Sequence, residues 1–171
     1  MTDTRGLLLT QLEVAWALLD YHLTPLTEED LHWVPASVHW TVRRHGGEWR
    51  PDFADVEPDP VPVPTAAWLT WHIGWWWGTA LSHLRGQQPR PREDVLWPGD
   101  ADLTRELISG LHQDWRESLS ATDALAEPTH FPWPVEAGHT KADMAAWVNV
   151  ELTKNASELG QLRLLRAARA L

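Results

Sequence analysis

The segment from Ala66 to Leu84 constrains this chain more than any other. Trp68, Leu69, Trp71, Ile73, Trp75, Trp76, Trp77 and Leu81 fall on every side of a helical period, so a helix here has almost no face left for water. Pro64 followed by Thr65 supplies a start signal, and Arg85 with Gly86 a basic last turn and a glycine cap. Such a helix needs a central position or a cover. The candidate cover is the stretch from Pro51 to Pro64, whose five prolines exclude regular helix and predict a polyproline-like arm, docked through the flanking Trp49 and Phe53.

Three further segments carry helical periodicity. Leu8, Leu12, Ala15, Trp16, Leu19 and Leu23 make a first amphipathic helix over Gly6–Leu23, ended by Pro25. Leu107, Leu111, Trp115 and Leu119 make the apolar stripe of a helix over Leu103–Leu119, capped by Asp100 or Asp102. Thr140 followed by Asp143 has capping-box spacing and opens a last helix through Met144, Trp147, Val148, Leu152, Leu159, Leu162 and Leu165 to the C-terminus. Between the first two helices, Thr27 to Leu31 reads as a single turn, and His39 to Val42 as an extended piece. With no convincing strand repeat, the expectation is an all-α fold. It is a single domain over residues 1–171, an up-and-down four-helix bundle with a long Pro/Trp-rich crossover between helices 1 and 2.

A formal net charge of −10 and the lack of a Lys/Arg run argue against nucleic acid and anionic membrane surfaces, because phosphate binding needs a basic face. The chain has no cysteine, which removes disulfides, thiolate metal ligation and Cys nucleophiles and leaves His, Asp, Glu and Asn to hold any metal. The stretch from Met1 to Gly6 lacks the features of a signal peptide and no apolar run is long enough to span a bilayer, so a cytoplasmic location is expected. Thirteen tryptophans are far more than usual, and core packing is the default account of most of them. Triad order, a phosphate-binding glycine loop and a His-Glu-x-x-His pattern are all missing.

Polar residues on otherwise apolar helical stripes are where bundles build sites. His72 shares a face of the second helix with Trp68, Trp75, Trp76 and Thr79. Glu151, Asn155, Glu158 and Leu162 form one stripe on the last helix. A lone histidine among apolar residues is more often a satisfied core group than a ligand, and Glu151 and Glu158 taken alone read as solvated or paired with Lys154 or Arg163. His83 lies on the same side as His72, but about 16 Å along the axis at ~1.5 Å per residue, too far to share an ion.

Trp71-His72-Ile73 on a tryptophan-rich second helix, together with the run Trp147-Val148-Asn149-Val150-Glu151-Leu152-Thr153-Lys154-Asn155 and onward to Arg163, resembles the DinB-like four-helix bundles over nearly the whole chain. The resemblance implies a divalent-metal-dependent enzyme. A zinc or nickel ion would be held by one histidine of the second helix and two ligands one turn apart on the fourth, His and His or Glu and His. His72 matches the first. The pair falls on Glu151 and Asn155, with Asn in place of the expected His, and Glu158 one turn further on completes the candidate set. A histidine with two carboxylates suits manganese, magnesium or iron better than zinc or nickel.

An amide oxygen is a weak neutral ligand, so the alternative is a site without metal in which Glu151 and Asn155 join a buried hydrogen-bond network with His72. With metal, the resemblance implies thiol-dependent transferase or hydrolase chemistry on an unknown substrate. A function of a different class is a non-catalytic binding protein. Its Trp-lined cavity, formed by Trp68, Trp71, Trp75 and the arm around Trp40 and Trp49, would hold an apolar or cationic small molecule. A homodimer is also implied by the resemblance.

Overall fold

The computed structural model describes residues 3–169. Met1 and Thr2 of the N-terminal stretch, and Ala170 and Leu171 at the expected end of the last helix, lie outside them. The described chain is mostly helical, and each helix begins where a side chain accepts one of the first free N–H groups. Asp3 does this for α1 (Thr4–Leu23), accepting from Arg5. Thr27 and Asp30 form a reciprocal capping box on the one-turn α2 (Glu28–Leu31). Thr65 accepts from Trp68 at the head of α3 (Ala66–Leu84), and Asp100 from Leu103 at the head of α4 (Ala101–Ala121). The Thr140 and Asp143 capping box opens α5 (Lys141–Arg169) as the spacing predicts.

The crossover between α1 and α3 is more ordered than its prolines suggest. β1 (His39–Trp40) pairs in parallel with β4 (Val63–Pro64), while β2 (Val42–His45) and β3 (Glu48–Pro51) form an antiparallel hairpin. The hairpin turns on Gly46 and Gly47, both at positive φ, the conformation its tight two-residue loop demands. The crossover covers the start of α3 as expected, with Trp49 docked but with Trp40 rather than Phe53 as the second ring. Trp40 stacks on Trp68 at 5.0 Å, the Trp68 indole N–H donates to the Asp52 carbonyl at 2.6 Å, and Trp49 meets Trp97 edge to face. Phe53 stays 41% exposed, under the Arg92 guanidinium.

The four long helices pack around one core: α1 lies on α5 and α4, and α3 on α4 and α5. Trp71, Trp76, Trp77 and Ile73 of α3 are almost completely buried, which places this helix centrally. It is nevertheless not enclosed all round, because Gly74, Gly78, Thr79 and Ser82 are only half-buried and line a groove beside α4.

The stripe expected on α4 holds at Trp115 and Leu119 but is displaced in the first half of the helix. Its buried face is Ala101, Thr104, Ile108, His112, Trp115 and Leu119, while Leu107 is 40% exposed. Leucine outranks threonine and histidine in any sequence pattern, but the tertiary packing favours the other ridge because His112 stacks flat on Trp16 of α1 at 4.2 Å. Leu107 and Leu111 are left to wall the groove. Among the described residues no helix is long and apolar enough to cross a membrane.

Candidate functional site between the third and fifth helices

α3 and α5 bring the four expected site residues into one cluster. His72 projects from the middle of α3, its ring stacked on Trp68 at 5.1 Å and beside Trp75 at 5.7 Å. Across from it, Glu151 Oε1 lies 3.7 Å from His72 Nε2, a near approach rather than a formed hydrogen bond. Both side chains are mostly buried. One turn on, Asn155 is completely buried, its Oδ1 accepting the Trp76 indole N–H at 3.0 Å and its Nδ2 donating to Glu158 Oε2 at 2.9 Å.

A fifth residue, named in the sequence only as a pairing partner, closes the cluster. Lys154 Nζ lies 2.8 Å from Glu151 Oε1 and 3.6 Å from Glu158 Oε1. Helix geometry accounts for this, since residues three and four apart share a face and an ammonium placed between two carboxylates at those spacings reaches both. The facing His72 is the largest influence on the Glu151 carboxyl; burial opposes it and Lys154 reinforces it, and the net result is a pKa lowered to about 2. Partial burial pulls the Lys154 ammonium down, but Glu151 and Glu158 outweigh it and hold its pKa above the ordinary lysine value.

His72 Nδ1 is buried without a hydrogen-bond partner among the described residues.

A separate cavity of about 270 Å³ lies between α3, α4 and the link that follows α3. Trp71, Trp75, Leu107, Leu111 and Val95 form its apolar walls and Gly74 and Gly78 its floor, with Arg90 at the rim. None of His72, Glu151, Asn155 and Glu158 lines it. Of the rings expected around a Trp-lined cavity, Trp71 and Trp75 are present, whereas Trp40, Trp49 and Trp68 are spent on packing against one another and against Trp97. The signal that could have located the groove is the pair of glycines four residues apart inside a helix, where glycine is unfavourable.

A mostly helical fold with a histidine on one central helix facing a Glu/Asn pair one turn apart on the last defines the class: helical proteins that build a polar centre between packed helices. The chain belongs to the DinB superfamily, whose family model matches residues 11–159. No curated protein and no solved structure matches the chain significantly.

As arranged, these donors do not suit the divalent ion that the family implies. Among the described residues no three His, Asp or Glu side chains converge as a metal site requires. The Asn155 oxygen is already an acceptor for Trp76, and His72 Nδ1 has no side-chain or carbonyl partner among the described residues of the kind that orients a metal-bound histidine.

Proposed function

We propose that this protein is a small-molecule-binding member of the DinB superfamily, a single domain over residues 1–171 built as an up-and-down four-helix bundle with a long crossover between its first two long helices. Its ligand site is the groove beside Trp71 and Trp75. The observation that carries this reading is the floor of the groove. A Cβ added at Gly78 would meet nothing within 4 Å, and one at Gly74 would just touch Leu107 at 3.4 Å. Each glycine costs roughly 1 kcal/mol of helix propensity relative to alanine, so a fold selected for stability alone gains by filling this space. Two indoles and two leucines around an open floor suit a flat apolar body.

Arg90 lines the groove, and its guanidinium there favours a ligand with a negative group over the cationic ligand that tryptophan walls alone would also accept. The acidic composition speaks against nucleic-acid partners, and a cytoplasmic location is part of the proposal. A homodimer is supported by Val14, Leu18 and Tyr21 of α1, which with Val150 of α5 leave apolar surface exposed for a second copy.

The metal-dependent transferase or hydrolase that the resemblance implies has the approach of His72 to Glu151 in its favour and the committed amide of Asn155 against it. Calorimetric titration with 2-naphthoate, an aromatic carboxylate of suitable size, tests the binding reading. Binding to the natural chain is expected, weakened about tenfold or more by Gly78→Leu, which fills the floor, and less by Arg90→Gln. Equal affinity for the natural chain and Gly78→Leu, or no binding to either, would remove the groove as the site.

A further inference from the structure

We propose that Lys154 is a resident cation of the α3–α5 cluster, its ammonium supplying between Glu151 and Glu158 the positive charge that a divalent ion would otherwise have to bring.

Three observations converge on this. The ammonium contacts Glu151 through Oε1, the same oxygen that faces His72, and so competes for the oxygen that an ion bridging α3 to α5 would need. It also approaches Glu158, so one cation serves both carboxylates. Finally, Asn155, next in sequence, is fixed in the core by Trp76 and hands its only donor group to Glu158. Asn155 thus removes a metal ligand from the very turn in which Lys154 adds a charge. A dication entering the cluster would meet an ammonium at 2.8 Å from its best carboxylate oxygen, and like charges at such spacing repel strongly in a partly buried site.

An ordinary surface Glu–Lys pair on a helix contributes only a few tenths of a kcal/mol. This one differs because the Glu151 side chain is only 16% exposed, so without Lys154 it would keep a largely buried charge with His72 as its sole neighbour. The proposal is independent of the groove, which shares no residue with this cluster.

The test compares untagged natural protein with Lys154→Met, Lys154→Arg and the double variant Lys154→Met/Asn155→His. Zinc, nickel and manganese are titrated by equilibrium dialysis, with the thermal midpoint followed in parallel. The natural chain and Lys154→Arg should take up no stoichiometric ion and show no midpoint shift. Lys154→Met should melt lower and be restored by added ion, with affinity at least about tenfold above the natural chain. The double variant should bind one zinc per chain. Stoichiometric metal in the natural protein would overturn the proposal, as would a Lys154→Met chain as stable as the natural one and indifferent to metal. Lys154 is half-exposed, so its replacement leaves the core intact and the comparison with the natural chain reads the charge itself.

Discussion

The indole N–H of Trp76 donates to Asn155 Oδ1 across the α3–α5 contact, with both side chains buried in the core. That single bond decides how the polar centre is wired, because it turns the amide oxygen inward and the amide nitrogen out toward Glu158.

Removing the acceptor leaves a buried donor stranded. Asn155→Leu should destabilise the fold by about 1–3 kcal/mol in urea unfolding, and Trp76→Phe should show a coupling with it of about 1 kcal/mol in a double-mutant cycle. Additive single-variant effects would mean the bond contributes nothing.

Acid should weaken the cluster in a defined window. Glu151 has its carboxyl pKa lowered from 4.5 to about 2 in the folded chain. A depressed carboxyl contributes stability that is present above its unfolded pKa and lost as pH falls toward the folded one. Stability should therefore drop between about pH 5 and pH 2. The part carried by Glu151 is about 2 kcal/mol, below the full shift because the His72 approach is long for a hydrogen bond. Glu151→Gln should flatten that part of the curve when unfolding midpoints are compared across the window.

Two glycines should respond to alanine with opposite signs. Gly78 sits over open space, so Gly78→Ala is expected to raise stability by roughly 0.5–1 kcal/mol. A Cβ at Gly160 would lie 2.6 Å from His22 Nε2, whose ring is held by Arg163, so Gly160→Ala should cost about 1–3 kcal/mol. His22→Ala in the same chain should relieve most of that loss. Thermal midpoints of the four proteins check both signs.

His112 presents a buried Nε2 with no hydrogen-bond partner while its ring stacks on Trp16. Burial is the main cause that lowers its pKa; Arg116 adds to it and Glu13 and Asp20 oppose. A depressed histidine favours the fold above its unfolded pKa of 6.5 and weakens it as pH falls below that value. His112→Phe keeps the stacked ring and drops the stranded nitrogen, so the variant should be at least as stable near pH 7 and less sensitive between about pH 7 and pH 5.

The capping residues and helical stripes carry local information, so Thr65 and the Thr140/Asp143 box place two helix starts from sequence alone, while for α4 the sequence offers Asp100 or Asp102 and the structure selects Asp100, with the helix beginning at Ala101. The same logic brings Glu151, Asn155 and Glu158 onto one face and His72 onto the matching helix. On α4 it holds for Trp115 and Leu119 and fails for Leu107, where two ridges compete and only the neighbours decide which is buried. It also passes over the hairpin around Gly46 and Gly47, whose pairing depends on residues apart in sequence.

By itself, the sequence determined which segments are helices, which side of α5 carries the polar stripe, and that a tryptophan-rich helix lies at the centre, because periodicity and caps are properties of neighbouring residues. Only the tertiary structure decided the partners. Trp76 holds the Asn155 oxygen, Lys154 answers the carboxylates, and Gly78 opens onto empty space, since each depends on where another helix or the lack of a side chain leaves room.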